Sequence, residues 1–256
     1  MTKPLILISN DDSIFSKGIK ALVDVASKYG EVVVVAPDSP QSAKSHAITL
    51  ENPISYKRED LFRSDIEAFA CSGSPADCVK IAINQVLNRK PDLILSGINH
   101  GANTSVNILY SGTVAAALEG AIHKIPSIAL SITSHDAEVD LEASKIYADQ
   151  IIGKILQADN KEVCLNVNIP DIKQEEIKGM KICKQTIGAW FEEFFPIVHP
   201  HKINPIFWLT GKYVNFEPER TDTDIWAIEN NYVAVVPIKI DLTDYEMIEE
   251  LKKYIN

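Results

Sequence analysis

No apolar run in the sequence approaches the roughly 20 residues that span a bilayer, so no membrane partner is expected. The chain opens almost at once on a strand-like run, without signal-peptide architecture, which points to the cytoplasm. Cysteine is scarce: Cys71, Cys78, Cys164 and Cys183 form no CxxC pair and no zinc spacing. Their apolar neighbours suggest core thiols in a reducing compartment. Positive charge is also short, with 25 Lys and Arg against 35 Asp and Glu and a net charge of −10. A strongly basic face is therefore not expected, which argues against binding a nucleic-acid backbone. A small phosphate ligand stays open, because a local site can hold one with backbone N–H groups and a metal. No GxGxxG follows the first apolar run; SNDDSIFSKG is acidic where a pyrophosphate would sit, which weakens a nicotinamide-dependent oxidoreductase. There are no internal repeats and no low-complexity tracts.

What is present is an ordinary soluble composition, 46% hydrophobic and 23% charged, in a chain of 256 residues that allows one or two units. Leu5–Ile8 reads as a buried strand, and Lys17–Tyr29 carries apolar residues at helical spacing and stops at Gly30. Glu31–Ala36 is a second, β-branched strand, completing a parallel crossover unit. Short strands are predicted at Ile48–Leu50, Ile54–Tyr56 and Ala68–Cys71, the first two around Pro53. Ser74, Pro75 and Asp77 form a helix-start signature for a helix running to about Leu87. A strand at 92–96, a long loop at 97–113, a small-residue helix at 114–123, a strand at 126–131, a helix at about 139–157 and a strand at 163–169 follow. This alternation predicts an α/β fold with a Rossmann-like, doubly wound, mostly parallel sheet over residues 1–170.

From 171 to 256 the pattern changes. Residues 179–236 hold short mixed segments with Trp190, Phe191, Phe194, Phe195, Phe207, Trp208 and Tyr213, and prolines at 196, 200 and 205. They read as hairpins or extended arms rather than parallel strands. Exposed aromatics there would favour oligomerisation, though they could equally form local core. A last strand at 232–238 and a terminal helix at 244–254, started by Thr243, close the chain.

The chemistry gathers in four loops that follow strands: 9–16, 37–46, 72–75 and 97–112. If their strands are parallel, all four open onto one edge, where open α/β sheets place ligands. Asp11 and Asp12 repel one another unless a cation or hydrogen-bond donors compensate. One reading makes the first a helix cap and the second a solvated side chain. The other makes both hard ligands for Mg²⁺ or Mn²⁺, with Ser42 and Asn99 as further oxygen candidates. Ser111, Gly112 and Thr113 open a helix; they form a simple cap or an anion site built from unpaired N–H groups and hydroxyls. His46 is a general acid or a solvated loop histidine, and His100 has the same two readings. A metal beside a phosphate suggests hydrolysis, since the cation polarises the phosphoryl group and lowers the pKa of a bound water. Asp11 or Asp12 could instead act directly in catalysis, as base or nucleophile, though phosphoaspartate chemistry would want DxD, which adjacent aspartates do not supply.

Four stretches together resemble the SurE family of nucleotidases: LISNDDSIFSKGIKAL (7–22), VVAPDSPQSAKSHAITL (34–50), CSGSPADCVKIAIN (71–84) and PDLILSGINHGANTSVNILYSGTVAAALEGA (91–121). Weaker matches continue at WLTG (208–211) and TDTDIWAIENNYVAVVPI (221–238). The resemblance implies a metal-dependent phosphatase of nucleoside 5′-monophosphates, with 3′-monophosphates as further substrates. It implies a Rossmann-like core and a C-terminal arm exchanged between subunits of a homodimer or homotetramer. By position it puts one divalent cation per subunit on Asp11, Asp12, Ser42 and Asn99. Phosphate and substrate contacts fall at Asn99, Asn103, Ser111, Gly112 and Thr113. Three departures stand out. Ser13 replaces the family's glycine after the aspartates, Thr104-Ser105 stands where a glycine follows GAN, and an Arg-Asp stretch is replaced around His199–Lys202. A protein that binds nucleotide and metal without turnover is the principal alternative.

Overall fold

The computed structural model describes residues 3–158, 162–198 and 204–255; the departure at His199–Lys202 lies outside them. Strand β1 (Leu5–Ser9) is buried at every position. Helix α1 (Lys17–Ala26) is capped by Ser16, whose side chain accepts from the Ile19 N–H. Its inward residues Ile19 and Leu22 are fully buried, each contributing roughly 1.5–3 kcal/mol. The helix stops at Ala26 and hydrogen-bonded turns carry the chain on to Gly30. Gly30 is therefore not the helix stop. A Cβ there would lie 2.2 Å from the Pro4 carbonyl oxygen, so close packing explains it.

Strand β2 (Glu31–Pro37) pairs parallel with β1. Ile48–Leu50, expected as a strand, is not one. Thr49 instead gives both its N–H and its hydroxyl to the Asp77 carboxylate, so the segment is tied to a helix start rather than to a sheet. Strand β3 (Tyr56–Arg58) is antiparallel to β4 (Glu67–Cys71), which is parallel to β2. Helix α2 (Pro75–Ile81) begins with a capping box between Ser74 and Asp77 and ends in a wider helical turn over Ala82–Val86.

Strand β5 (Leu93–His100) runs four residues beyond its expected end, with a register break between Ser96 and Asn99. Helix α3 (Gly112–Ile122), strand β6 (Ser127–Ile132), helix α4 (Glu142–Gln157) and strand β7 (Cys164–Ile169) follow. Strand β8 (Met180–Ile182) corrects the reading of 179–236 as hairpins alone. It lies parallel to β13 (Val233–Pro237) at the far edge of the main sheet, and β13 is antiparallel to β7. Between them β9 (Gly188–Phe191) pairs with β12 (Lys212–Asn215), and β10 (Phe194–Ile197) with β11 (Ile206–Leu209), two two-stranded sheets that follow one another along a single ribbon and are tied by the Thr210 N–H donating to the Glu193 carbonyl at 2.7 Å. Helix α5 (Asp224–Glu229) precedes β13, and α6 (Tyr245–Ile255) ends the chain. The α6 start is capped by Asp244, which accepts from the Met247 N–H, rather than by Thr243.

The main sheet has the order β3-β4-β2-β1-β5-β6-β7-β13-β8. Strands β4, β2, β1, β5, β6 and β7 are mutually parallel, so the predicted doubly wound α/β architecture stands. The chain moves one way from β1 to β2 and the other way at β5. The switch point therefore lies between the carboxyl ends of β1 and β5, the place where open α/β sheets take their ligands. Among the described residues no helix is long and apolar enough to cross a membrane.

Candidate active site

The loops after β1, β2, β4 and β5 leave parallel strands and open on the same edge. They are also stitched together. The Ile14 N–H donates to the Pro37 carbonyl at 2.9 Å, and the Gln41 N–H donates to the Asp11 carbonyl at 2.7 Å. Further on, the Ser45 N–H reaches the Tyr110 carbonyl at 3.0 Å and the Ser45 hydroxyl reaches the Leu109 carbonyl at 2.6 Å. Ser42 thus follows directly on a residue bonded to the Asp11 backbone, and it is exposed.

Asn10 shapes the turn that presents the aspartates. Its amide nitrogen donates to the Ser13 carbonyl at 2.8 Å and to the Ser16 hydroxyl at 2.9 Å. Ser13 takes φ of +84°, the region glycine favours. The replaced family glycine therefore does fall at a positive-φ position. Ala43 (+58°), Ser45 (+54°) and Ser105 (+51°) repeat this, so left-handed non-glycine backbone gathers in the loops of this rim.

Asp11 is 4% exposed, and the Thr113 hydroxyl donates to its Oδ1. Burial, with the neighbouring Asp12 charge adding to it, pushes its carboxyl up to about 6 against the Thr113 hydrogen bond. Asp12 Oδ2 accepts from the His100 N–H at 3.2 Å and faces His100 Nδ1 at the same distance. Neither carboxylate pairs with a lysine or arginine among the described residues. Asn99 lies at the end of β5, its amide nitrogen directed to the Gly101 carbonyl at 2.7 Å. No group of three or more His, Cys, Asp or Glu with metal-holding geometry occurs among the described residues. The oxygen donors that remain, two carboxylates with hydroxyl and amide oxygens, suit a hard cation such as Mg²⁺ or Mn²⁺.

Ser111 is the cap of α3, its hydroxyl oxygen accepting from the Val114 N–H at 3.1 Å. The cap and anion readings are compatible, because the same hydroxyl keeps its O–H to donate. Thr113 differs from expectation: both its hydroxyl and its backbone N–H are committed to Asp11. Gly112 lies against the carboxylate, where a Cβ would come within 2.9 Å of the Asp11 Cβ and 3.0 Å of the Pro75 Cγ. The helix start and the acidic pair are thus in direct contact.

Asn103 is buried and turned inward, its amide nitrogen donating to the Ser131 hydroxyl at 2.9 Å. Its N–H reaches Asn168 Oδ1 and its carbonyl accepts from the Asn166 amide, each at 2.7 Å. Sequence reading did not use Asn166 and Asn168, although two asparagines alternating with Leu165, Val167 and Ile169 on a buried strand were a signal. It also missed Glu119, 1% exposed on α3. Lys80 donates to Glu119 at 2.7 Å, and His46 Nε2 lies 3.0 Å away. Burial pushes the Glu119 carboxyl up, but hydrogen bonds from His46 and Lys80, and their charges, carry it below its ordinary range. His46 is thereby held on the rim, where it lines a cavity of about 630 Å³ together with Ser111.

An open doubly wound sheet with its switch point between β1 and β5 defines a Rossmann-like α/β protein. Residues 6–192 match the family model described as Survival protein SurE. The chain is 44% identical over 255 residues to the 5′-nucleotidase SurE of Flavobacterium psychrophilum, covering 99% of this chain and 98% of that one. It is 46% identical to the 5′-nucleotidase SurE of Cytophaga hutchinsonii, covering 99% and 97%. The crystal structure of the SurE protein from Aquifex aeolicus superposes with a TM-score of 0.83 at 38% identity, covering 98% and 99%. The chain belongs to the SurE family.

Proposed function

We propose that the protein is a divalent-cation-dependent phosphatase of nucleoside 5′-monophosphates, with 3′-monophosphates as a second substrate class. The names of its relatives support the nucleotidase reading. One observation carries the chemistry: the first turn of α3 touches Asp11, so an anion site and a carboxylate pair share one wall. Asp11, Asp12, Ser42 and Asn99 would hold one cation per subunit. When bound, the cation would neutralise phosphoryl charge and polarise the phosphorus centre.

The chain's own groups do the rest. The N-terminal N–H groups of α3 and the Ser111 O–H stabilise the phosphate oxygens. Gly112, lacking a Cβ, lets Asp11 and Pro75 pack against the helix start. His100 fixes Asp12 by two contacts, which orients the carboxylate before substrate arrives. Glu119 holds His46 Nε2, leaving a protonated Nδ1 to give its proton to the departing nucleoside oxygen as a water attacks phosphorus and the P–O ester bond breaks, the water's proton passing to an Asp11 or Asp12 carboxylate. We assign the enzyme to the cytoplasm on its four free, buried cysteines. We assign it to a homodimer or homotetramer on the exposed aromatics of the ribbon, among them Phe194, Phe195 and Trp208.

Phosphate release from AMP and from 3′-AMP tests this. Turnover is expected with Mg²⁺ or Mn²⁺, to vanish with a chelator and to return on adding metal. Equal turnover in all three states would contradict the cation requirement. AMP binding without any release would favour a binding protein instead.

A further inference from the structure

The loop from Gly101 to Ser111 joins the end of β5 to the start of α3, so it connects the two walls of the site. Its midpoint belongs to another part of the molecule. Each polar group of Ser105 is bonded to the segment 185–224. The Ser105 N–H donates to Asp224 Oδ2 at 2.9 Å, and its hydroxyl donates to the Thr186 carbonyl at 2.8 Å. The Gln185 amide donates to the Ser105 carbonyl at 3.0 Å. The Tyr213 hydroxyl donates to the Ser105 hydroxyl oxygen at 2.6 Å. Two residues on, the Asn107 side-chain oxygen accepts from the Trp190 indole N–H at 2.8 Å.

Trp190 and Tyr213 face each other across the root of the ribbon, in register on β9 and β12. Their rings meet edge to face at 5.8 Å. Asp224, 1% exposed, anchors the same corner by accepting also from the Thr186 N–H at 2.9 Å. The anchoring is long-range, with Ser105 and Asp224 separated by 119 residues. Ser105 holds φ of +51°, a conformation its own preferences do not select. The ribbon root thus holds the loop in a shape that the loop would not keep by itself. Ser105 and Asn107 lie between Asn103, held on β6 and β7, and Ser111, the cap of α3, so the ribbon root holds the middle of the span that joins them.

We propose that Tyr213 and Trp190 are positioning residues for nucleotide binding, the ribbon root setting the conformation of the loop that carries the phosphate contacts. This rests on the reading of that rim as a phosphate site. It makes substrate affinity depend on an element that contributes no group to the chemistry. Disturbing the ribbon root then weakens the hold on the phosphate in the ground and transition states alike, which raises KM and leaves kcat.

The test uses the full-length protein with Mn²⁺ and AMP. Tyr213→Phe removes one hydroxyl and leaves the Ser105 hydroxyl its Thr186 acceptor, so no buried group is orphaned. Trp190→Phe removes the donor to Asn107. Each is expected to raise KM about 3- to 10-fold, with kcat within about twofold of wild type. Tyr254→Phe, which alters a hydroxyl on exposed α6, serves as the control and should leave both constants unchanged. A merely structural role would reduce the active fraction, lowering apparent kcat at constant KM, and that result would overturn the proposal. Unchanged KM in both ribbon variants would overturn it as well. A wild-type protein that releases no phosphate would overturn the phosphatase reading and this inference together, whereas active wild type with unaltered variants overturns only the inference.

Discussion

Asp11 concentrates the tension in this site. It sits almost without solvent beside a second carboxylate, with one hydroxyl donating to it. Its carboxyl is pushed up to about 6 from 3.8. A raised carboxyl pKa means that the folded state holds the proton more tightly than the unfolded chain. No penalty exists below about pH 4, where both states are protonated. It accumulates as pH rises from 3.8 through 6 and is constant above. Two units correspond to roughly 3 kcal/mol at neutral pH. In chelated protein, Asp11→Asn should therefore exceed wild type in stability by about 1–3 kcal/mol at pH 7.5, with the gap closing below pH 4. Urea unfolding at both pH values measures this. Wild type more stable than the variant at pH 7.5 would refute it.

At the scale of elements, the turn between β1 and α1 shows what could be read from the sequence and why. Asp11, Asp12, Ser13 and the Ser16 cap are contiguous, and their chemistry follows from local strand-turn-helix logic. Ser13 at φ of +84° carries strain on the order of 1–3 kcal/mol, against which glycine's extra chain entropy offsets roughly 0.5–1 kcal/mol. Ser13→Gly should raise Tm by about 1–3 °C, measured calorimetrically on chelated protein; a lower Tm would show that the Ser13 hydroxyl, which accepts from the Phe15 N–H, matters more than the backbone. The Ser111 cap was legible for the same local reason. Glu119 was not, because its partner His46 lies 73 residues away on a loop whose path no pattern specifies. Asp224 and the Asn166–Asn168 pair were hidden likewise by long-range contact. The misread strand at Ile48–Leu50 had the right apolar alternation, but Asp77 captured its backbone N–H and its hydroxyl.

At the scale of the whole molecule, alternation of apolar runs and helical periods was enough to indicate the parallel sheet, and with it the edge on which the loops meet. The far edge was harder. Strands β8 and β13 are short, lie 53 positions apart at their starts, and reach the sheet from either side of the ribbon. β13 pairs with β7, and β8 joins the sheet through β13 alone, a long-range arrangement that no local pattern specifies. The sheet order puts the end of β1 beside the end of β5, and the start of α3 packs against Asp11 at the end of β1. The account stands on that edge being a cation-dependent phosphate site. The most direct measurement is steady-state phosphate release from AMP by Asp12→Asn with saturating Mn²⁺. Asparagine keeps an oxygen for the His100 N–H, so the fold and the loop are preserved while a charge is removed. The account predicts a fall in kcat/KM of about 100-fold or more at unchanged Tm. Turnover within about twofold of wild type would contradict it.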